Sequence, residues 1–233
     1  LELETSTDSL HYQQLRALSK EYSKTDLDMS MVYAIQCLSY AKEIELEEGI
    51  TTATMLVGNC YTRKGEYETG ISFYIDASKM AYQSKDTFLL SQAFSNIGAI
   101  QFYTENYGKA IEYFKKSQDI KEAIGTPNQI AQGYSNIGEA FRQLKEIDSA
   151  ILYLNRSYTI FKEANDTKGL GTCLNNIGNI YAQKEDYYKA IEFYERSLVY
   201  KYEINKPRDL AVACNNLGEM YFNLRQHDKC LEY

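Results

Sequence analysis

Apolar and small residues recur along this chain on two beats, each 40 residues long. One beat falls on Gly58, Gly98, Gly138, Gly178 and Gly218, inside the phrases FSNIGAIQF, YSNIGEAFR, LNNIGNIYA and CNNLGEMYF and a worn first copy, MLVGNCYTR. The other falls on Gly70, Ala110, Ala150, Ala190 and Cys230. Two beats that keep one interval over most of the chain mark a stack of one repeated supersecondary unit. Wound at about 100° per residue, Leu174, Ile177, Gly178, Ile180 and Tyr181 share one arc, as do Phe94, Ile97, Gly98 and Ile100. This pattern predicts a first helix, A. The segment YYKAIEFYERSLVYK sets Ala190, Ile191, Phe193, Tyr194 and Leu198 at helical spacing and predicts a second, B. Polar turns lie between them at Gln183–Asp186, Thr104–Asn106 and Leu144–Glu146.

Asp86, Thr126, Asp166 and Lys206 mark the joints between repeats. Asp and Thr are N-cap types, and Pro127 and Pro207 follow two of the joints, where a first-turn proline is tolerated. The expectation is therefore an all-α solenoid of tandem helix–turn–helix hairpins. It reads as one array over residues 1–233 of about five and a half repeats: 8–46, 47–85, 86–125, 126–165, 166–205 and a cut-off 206–233. The first copy is degenerate, with Ser30 where Ala is expected and a turn that reads one residue short. A glycine inside a helix costs about 1 kcal/mol against alanine. Its recurrence thus predicts a close crossing of helix A on helix B, which a side chain would force apart.

The stretch NNIGNIYAQKEDYYKAIEFYERSL, from Asn175 to Leu198, resembles the tetratricopeptide repeat. The resemblance rests on Ile177, Gly178 and Tyr181 in the first helix, Ala190 opening the second, and Tyr194 after it. The interval is longer than the family's common 34 residues, as in spindle-orientation adaptors, kinesin light chains and bacterial regulators that include peptide-pheromone receptors. The resemblance implies a right-handed superhelix whose A helices line a concave face that binds an extended or helical peptide.

The wheel leaves a second face of helix A free. Two residues before the glycine it carries Asn96, Asn136, Asn176 and Asn216, a row broken only by Leu56. One residue after come Asn59, Ala99, Glu139, Asn179 and Glu219; five after come Arg63, Tyr103, Gln143, Gln183 and Asn223. Asparagine is a mediocre helix former, so its recurrence calls for a cause. An amide side chain donates and accepts, as a peptide group does, and a row of them can hold a ligand backbone whatever its side chains. Four bonds at about 0.5–1.5 kcal/mol each supply about 2–6 kcal/mol, whereas micromolar binding needs about 8. Pockets at Tyr103, Phe102 or Phe222 would have to supply the rest. The competing reading is that these amides bridge neighbouring helices. Glu139 and Glu219 make the face neutral to acidic and favour a neutral or basic protein or peptide ligand. A clamp for a chain-terminal carboxylate needs groove cations, and the corresponding row, Met55, Ser95, Ser135, Asn175 and Asn215, has none.

Charge and cysteine narrow the picture. Lys plus Arg number 25 against 32 Asp plus Glu, a net −7, so the chain lacks the basic stripe that nucleic-acid binding requires. No apolar run reaches membrane-spanning length. The cysteines Cys37, Cys60, Cys173, Cys214 and Cys230 lack a CxxC spacing and read as small buried hydrophobes. They favour a reducing, cytoplasmic setting, with a periplasmic sensor region as the alternative. His11 and His227 stand at opposite ends, and no nucleophile–base pair, phosphate loop or metal-ligand spacing occurs. A non-enzymatic scaffold with no cofactor and no metal is expected. The alternative is a sensory or regulatory segment of a larger bacterial signalling protein, a sensor kinase, cyclase or transcription regulator. Self-association through repeat ends is a third reading. The chain opens on Leu1 without Met and stops at Tyr233 inside a repeat, which reads as a fragment.

Overall fold

The computed structural model describes residues 2–232. Those residues form twelve α-helices and no strand. They divide into two compact units, Leu1–Ile120 and Lys121–Tyr233. Unit 1 holds α1 (Glu2–Tyr22), α2 (Leu27–Glu43), α3 (Glu47–Arg63), α4 (Tyr67–Gln83), α5 (Thr87–Tyr103) and most of α6 (Tyr107–Ile124). Unit 2 holds α7 (Pro127–Gln143), α8 (Ile147–Glu163), α9 (Thr167–Gln183), α10 (Tyr187–Ile204), α11 (Pro207–Asn223) and the single turn α12 (His227–Cys230). In each unit consecutive helices pack pairwise, and the first helices of successive hairpins also meet: α1 with α3 and α3 with α5 in unit 1, α7 with α9 in unit 2.

The helix starts follow from the joint residues. Asp86 accepts from the Leu89 amide and Asp166 from the Gly169 amide. Thr126 and Gln129 form a reciprocal capping box, with Pro127 in the first turn of α7. Each such cap satisfies amides that the helix cannot and contributes about 1 kcal/mol. Lys206 makes no side-chain cap, and Pro207 alone sets the entry to α11.

The packing glycines sit where the reasoning from periodicity put them. A Cβ on Gly178 would lie 2.6 Å from the Tyr194 ring, one on Gly98 2.6 Å from the Phe114 ring, and one on Gly138 2.8 Å from Leu154. At Gly58 it would meet Phe73 at 3.1 Å. The opposing small residues Ala110, Ala150 and Ala190 are fully buried. Gly218 differs, being half-buried beside Cys214, Phe222 and Cys230, since α12 is too short to cover it. Two turns beyond those alanines along helix B, hydroxyls cross the same interface at the same interval. In unit 1 Ser117 donates to the Ser91 carbonyl at 2.8 Å. In unit 2 Ser157 donates to Ala131 and Ser197 to Gly171, both at 2.7 Å. A buried hydroxyl without such a partner would cost about 1–3 kcal/mol.

Two expectations are corrected. The turn of the first hairpin is longer, not shorter: four residues separate α1 from α2, against three between α3 and α4. Its closing bond runs from the Asp26 amide to the Tyr22 carbonyl, one residue less in reach than the bond from Glu66 to Tyr61 in the next turn. The longer bond needs a left-handed residue, and the first turn has none. Cys214 and Cys230 are only half-buried, unlike Cys37, Cys60 and Cys173, because α12 leaves that part of α11 open.

Left-handed residues punctuate the other turns at intervals of 20 residues, with a gap at position 125: Glu45, Gly65, Lys85 and Glu105 in unit 1, then Lys145, Asn165, Glu185, Asn205 and Arg225 in unit 2. Only Gly65 is a glycine, so the rest hold a conformation that L-residues resist.

Candidate binding face of the first helices

In unit 1 a cleft of about 390 Å³ brings together four of the residues singled out from the sequence: Asn59 and Arg63 of α3, Asn96 and Tyr103 of α5. Tyr67, at the start of α4, closes one side, its ring 5.4 Å from that of Tyr103. Tyr103 is 71% exposed and Arg63 is exposed, while Asn96 is half-buried. A second depression of about 210 Å³ adjoins it through the shared residues Asn59 and Arg63, and is also lined by Lys20 of α1 and Ser23 of the turn after it. Arg63 makes no hydrogen bond or ion pair among the described residues.

In unit 2 the corresponding residues are more heavily engaged. Glu139 takes a bidentate bond from Arg142, Nε to Oε2 at 2.9 Å and Nη2 to Oε1 at 2.6 Å, and a third bond from Gln143 at 3.1 Å. Arg142 also reaches Gln183 of α9 at 3.5 Å. Asn136 accepts from Gln132 at 3.0 Å, one turn back on α7. Asn216 donates to Asn175 Oδ1 at 3.2 Å and so bridges α11 to α9. The bridging reading therefore holds for Asn216. Asn176 is half-buried and Glu219 exposed, with no hydrogen bond to either among the described residues.

Asn59 and Asn179 share one device. Tyr74 of α4 donates to Asn59 Oδ1, and Tyr194 of α10 donates to Asn179 Oδ1 at 2.8 Å. Where the helix A position is not Asn, the helix B position is not Tyr: Ala99 stands with Phe114, and Glu139 with Leu154. Burial pushes the Tyr194 phenol up to about 12, with Glu219 adding to it. The Tyr74 phenol is raised further, by burial above all.

Three residues escaped the reading of helix A alone. Arg142 neutralises one of the two acids that were expected to make the face acidic, so that charge expectation rests on Glu219. Lys201 comes from α10; it is 8% exposed, and its Nζ donates to Asn175 Oδ1 at 3.0 Å. Burial holds its ammonium below the usual lysine range. The row that lacked cations in the sequence thus has one supplied by the second helix. Lys20 belongs to the degenerate first repeat, where the glycine that indexes the face is missing. Met55 and Ser135 of that row are buried and serve packing.

Among the described residues, no group of three or more His, Cys, Asp or Glu is placed to hold a metal ion. No helix among them is long and apolar enough to cross a membrane.

The profile described as Tetratricopeptide repeat matches residues 51–123 and 128–198. The transcriptional activator NprA of Geobacillus stearothermophilus is 30% identical over 131 residues, 47% of this chain and 32% of that protein. The chain therefore spans about a third of that relative's length. Aspartyl phosphate phosphatase F from Bacillus subtilis superposes with a TM-score of 0.72 at 22% identity, over 96% of this chain and 57% of that one. A Rap protein complexed with Competence and Sporulation Factor superposes with a TM-score of 0.65 at 17% identity, over 93% and 66%. These structural likenesses concern the fold.

Proposed function

The chain belongs to the tetratricopeptide repeat family, and from that premise we propose that it is a non-enzymatic scaffold that binds a protein or peptide on the exposed face of its first helices. The observation that carries this reading is the unit 1 cleft, where Asn59, Arg63, Asn96 and Tyr103 gather around open space. Amides fixed by their neighbours present hydrogen-bonding groups at little further entropic cost. Asn59 and Asn179 are held in this way by tyrosines of the second helix. In unit 2 the same face offers Asn136, Asn176, Asn179 and Glu219, flanked by Gln143 and Gln183. The solved complex of a Rap protein with Competence and Sporulation Factor supports the reading by likeness of fold.

The test is a triple substitution along that face, Asn96→Ala in the unit 1 cleft together with Asn136→Ala and Asn176→Ala in unit 2. Capture of partners by the immobilised chain should be lost while the thermal melt stays near that of the parent. Capture that survives would move the site off this face.

A second reading is favoured by one observation, the 30% identity to a transcriptional activator over 131 residues. On it, the chain is the sensory segment of a larger bacterial regulator, and ligand occupancy of the same face alters an output carried elsewhere. The two readings share the site and differ in what binding does.

A further inference from the structure

We propose that the inner cleft of unit 1 is selective for an acidic peptide segment, with a carboxylate side chain seated between Arg63 and Lys20 and an apolar neighbour against Tyr67 and Tyr103. This rests on the peptide-binding reading and adds the ligand's charge and its polarity along the groove.

Several cations of the second helices pair with an acid one turn away, Lys79 with Asp76, Lys116 with Glu112, Lys189 with Asp186 and Arg196 with Glu192, while Arg156 lies over the Tyr134 and Tyr153 rings and Lys201 bonds the Asn175 amide. Lys64, next to Arg63, pairs with Asp28. Arg142 of unit 2 pairs with Glu139. Arg63 and Lys20 have no such partner among the described residues, and neither depression they line contains an Asp or Glu. Arg16 lies one turn before Lys20, and its Nε is buried without a hydrogen bond. Its charge and the partial burial of Lys20 both disfavour the Lys20 ammonium, burial the more strongly. Like charges gathered without a counter-ion destabilise the free fold locally, and a carboxylate entering the depression that Arg63 and Lys20 share relieves both together. Guanidinium offers that carboxylate a two-pronged donor.

The rest of the cleft sets the companion. Ile100, Ala99 and the rings of Tyr67 and Tyr103 give the cleft a mainly apolar wall, and Asn59 and Asn96 line it beside Arg63. A ligand backbone held at the two amides would direct one side chain to the cations and another to the rings. The ligand fitted is thus an internal acidic residue with an apolar one close to it in sequence.

The test is selection from a phage-displayed library of random heptapeptides on the immobilised full chain. Enriched sequences should be rich in Asp and Glu, and the best of them, made as a free labelled peptide, should bind less tightly as salt is raised. Arg63→Glu should weaken that peptide about ten-fold or more and Lys20→Glu should weaken it too, each with the melt of the parent. Both side chains are exposed, so the fold tolerates the change. Enrichment of acid-poor or basic peptides, or indifference to Arg63→Glu, overturns the acidic preference and leaves the peptide-binding reading standing. No enrichment of any peptide over the bare matrix overturns both.

Discussion

Five residues after the packing glycine, unit 1 carries Arg63 and Tyr103, whereas unit 2 carries Gln143, Gln183 and Asn223. One residue after it, unit 1 has Asn59 and Ala99, and unit 2 has Glu139, Asn179 and Glu219. The backbone scaffolding beneath them is alike: a glycine against an aromatic or leucine of the next helix, and a serine hydroxyl on a facing carbonyl. The difference teaches that the repeat interval conserves a packing problem and leaves the adjoining face free. Within one chain, the same positions hold in one unit Arg63, without an ion pair among the described residues, beside aromatic rings, and in the other amides with two acids, of which Arg142 neutralises Glu139.

The sharpest way to break the comparison is to attack what the units share. Gly98→Leu in unit 1 and Gly178→Leu in unit 2 should each cost about 1–3 kcal/mol or more, read by urea denaturation. Hydrogen exchange should place each loss in the unit that carries the substitution. An unchanged midpoint in either would remove the close crossing from that unit.

Alkaline pH should act on both units next. Burial raises the Tyr12 phenol of unit 1 and the Tyr194 phenol of unit 2 to about 12, and Tyr74 is raised as well. A phenol whose folded pKa is raised stabilises the fold fully below pH 10, and that stability is lost as the pH climbs from 10 towards 12. Each such tyrosine steepens the loss by at most about 1.4 kcal/mol per pH unit. Tyr194→Phe should flatten the curve of stability against pH above 10. A curve that is level up to pH 11.5 would contradict the burial of these hydroxyls.

A smaller effect would sharpen the contrast by transplantation. Phe114→Tyr in unit 1 introduces a hydroxyl opposite Ala99 and should destabilise. Adding Ala99→Asn should restore about 1 kcal/mol by recreating the bond that Tyr194 makes with Asn179. A double-mutant cycle with no coupling would show that the Tyr–Asn pairing is incidental. Smallest of all, Lys145→Gly should raise stability by about 0.5–1 kcal/mol, because glycine adopts the left-handed turn without strain. A fall in the melting temperature would point to a role for the lysine side chain itself.

Much of this fold was legible in the residues. Periodicity located the helices, and Asp86, Thr126 and Asp166 are caps because their side chains suit no other place at a joint. The site was legible as a face and not as a set of bonds. A helical wheel says that Asn179 and Asn216 point away from the core of their own helix, but not that Tyr194 reaches the first or that Asn175 takes the second. Arg142 and Lys201 were missed for the same reason: one pairs along its helix four residues past the glycine, and the other arrives from a different helix. The left-handed turns carried no glycine signal except at Gly65, so Lys85, Glu105 and Lys145 gave no hint of their backbone. Lys20 sits in the one repeat where the index glycine has worn away.

The most direct measurement is site-specific photo-crosslinking with benzoylphenylalanine placed at Asn96 and at Asn176 on the first helices, and at Lys79 and Arg196 on the second. A bound peptide or protein partner should be trapped from Asn96 or Asn176 and not from Lys79 or Arg196. Trapping from Lys79 or Arg196 alone would place recognition on the second helices and contradict the account.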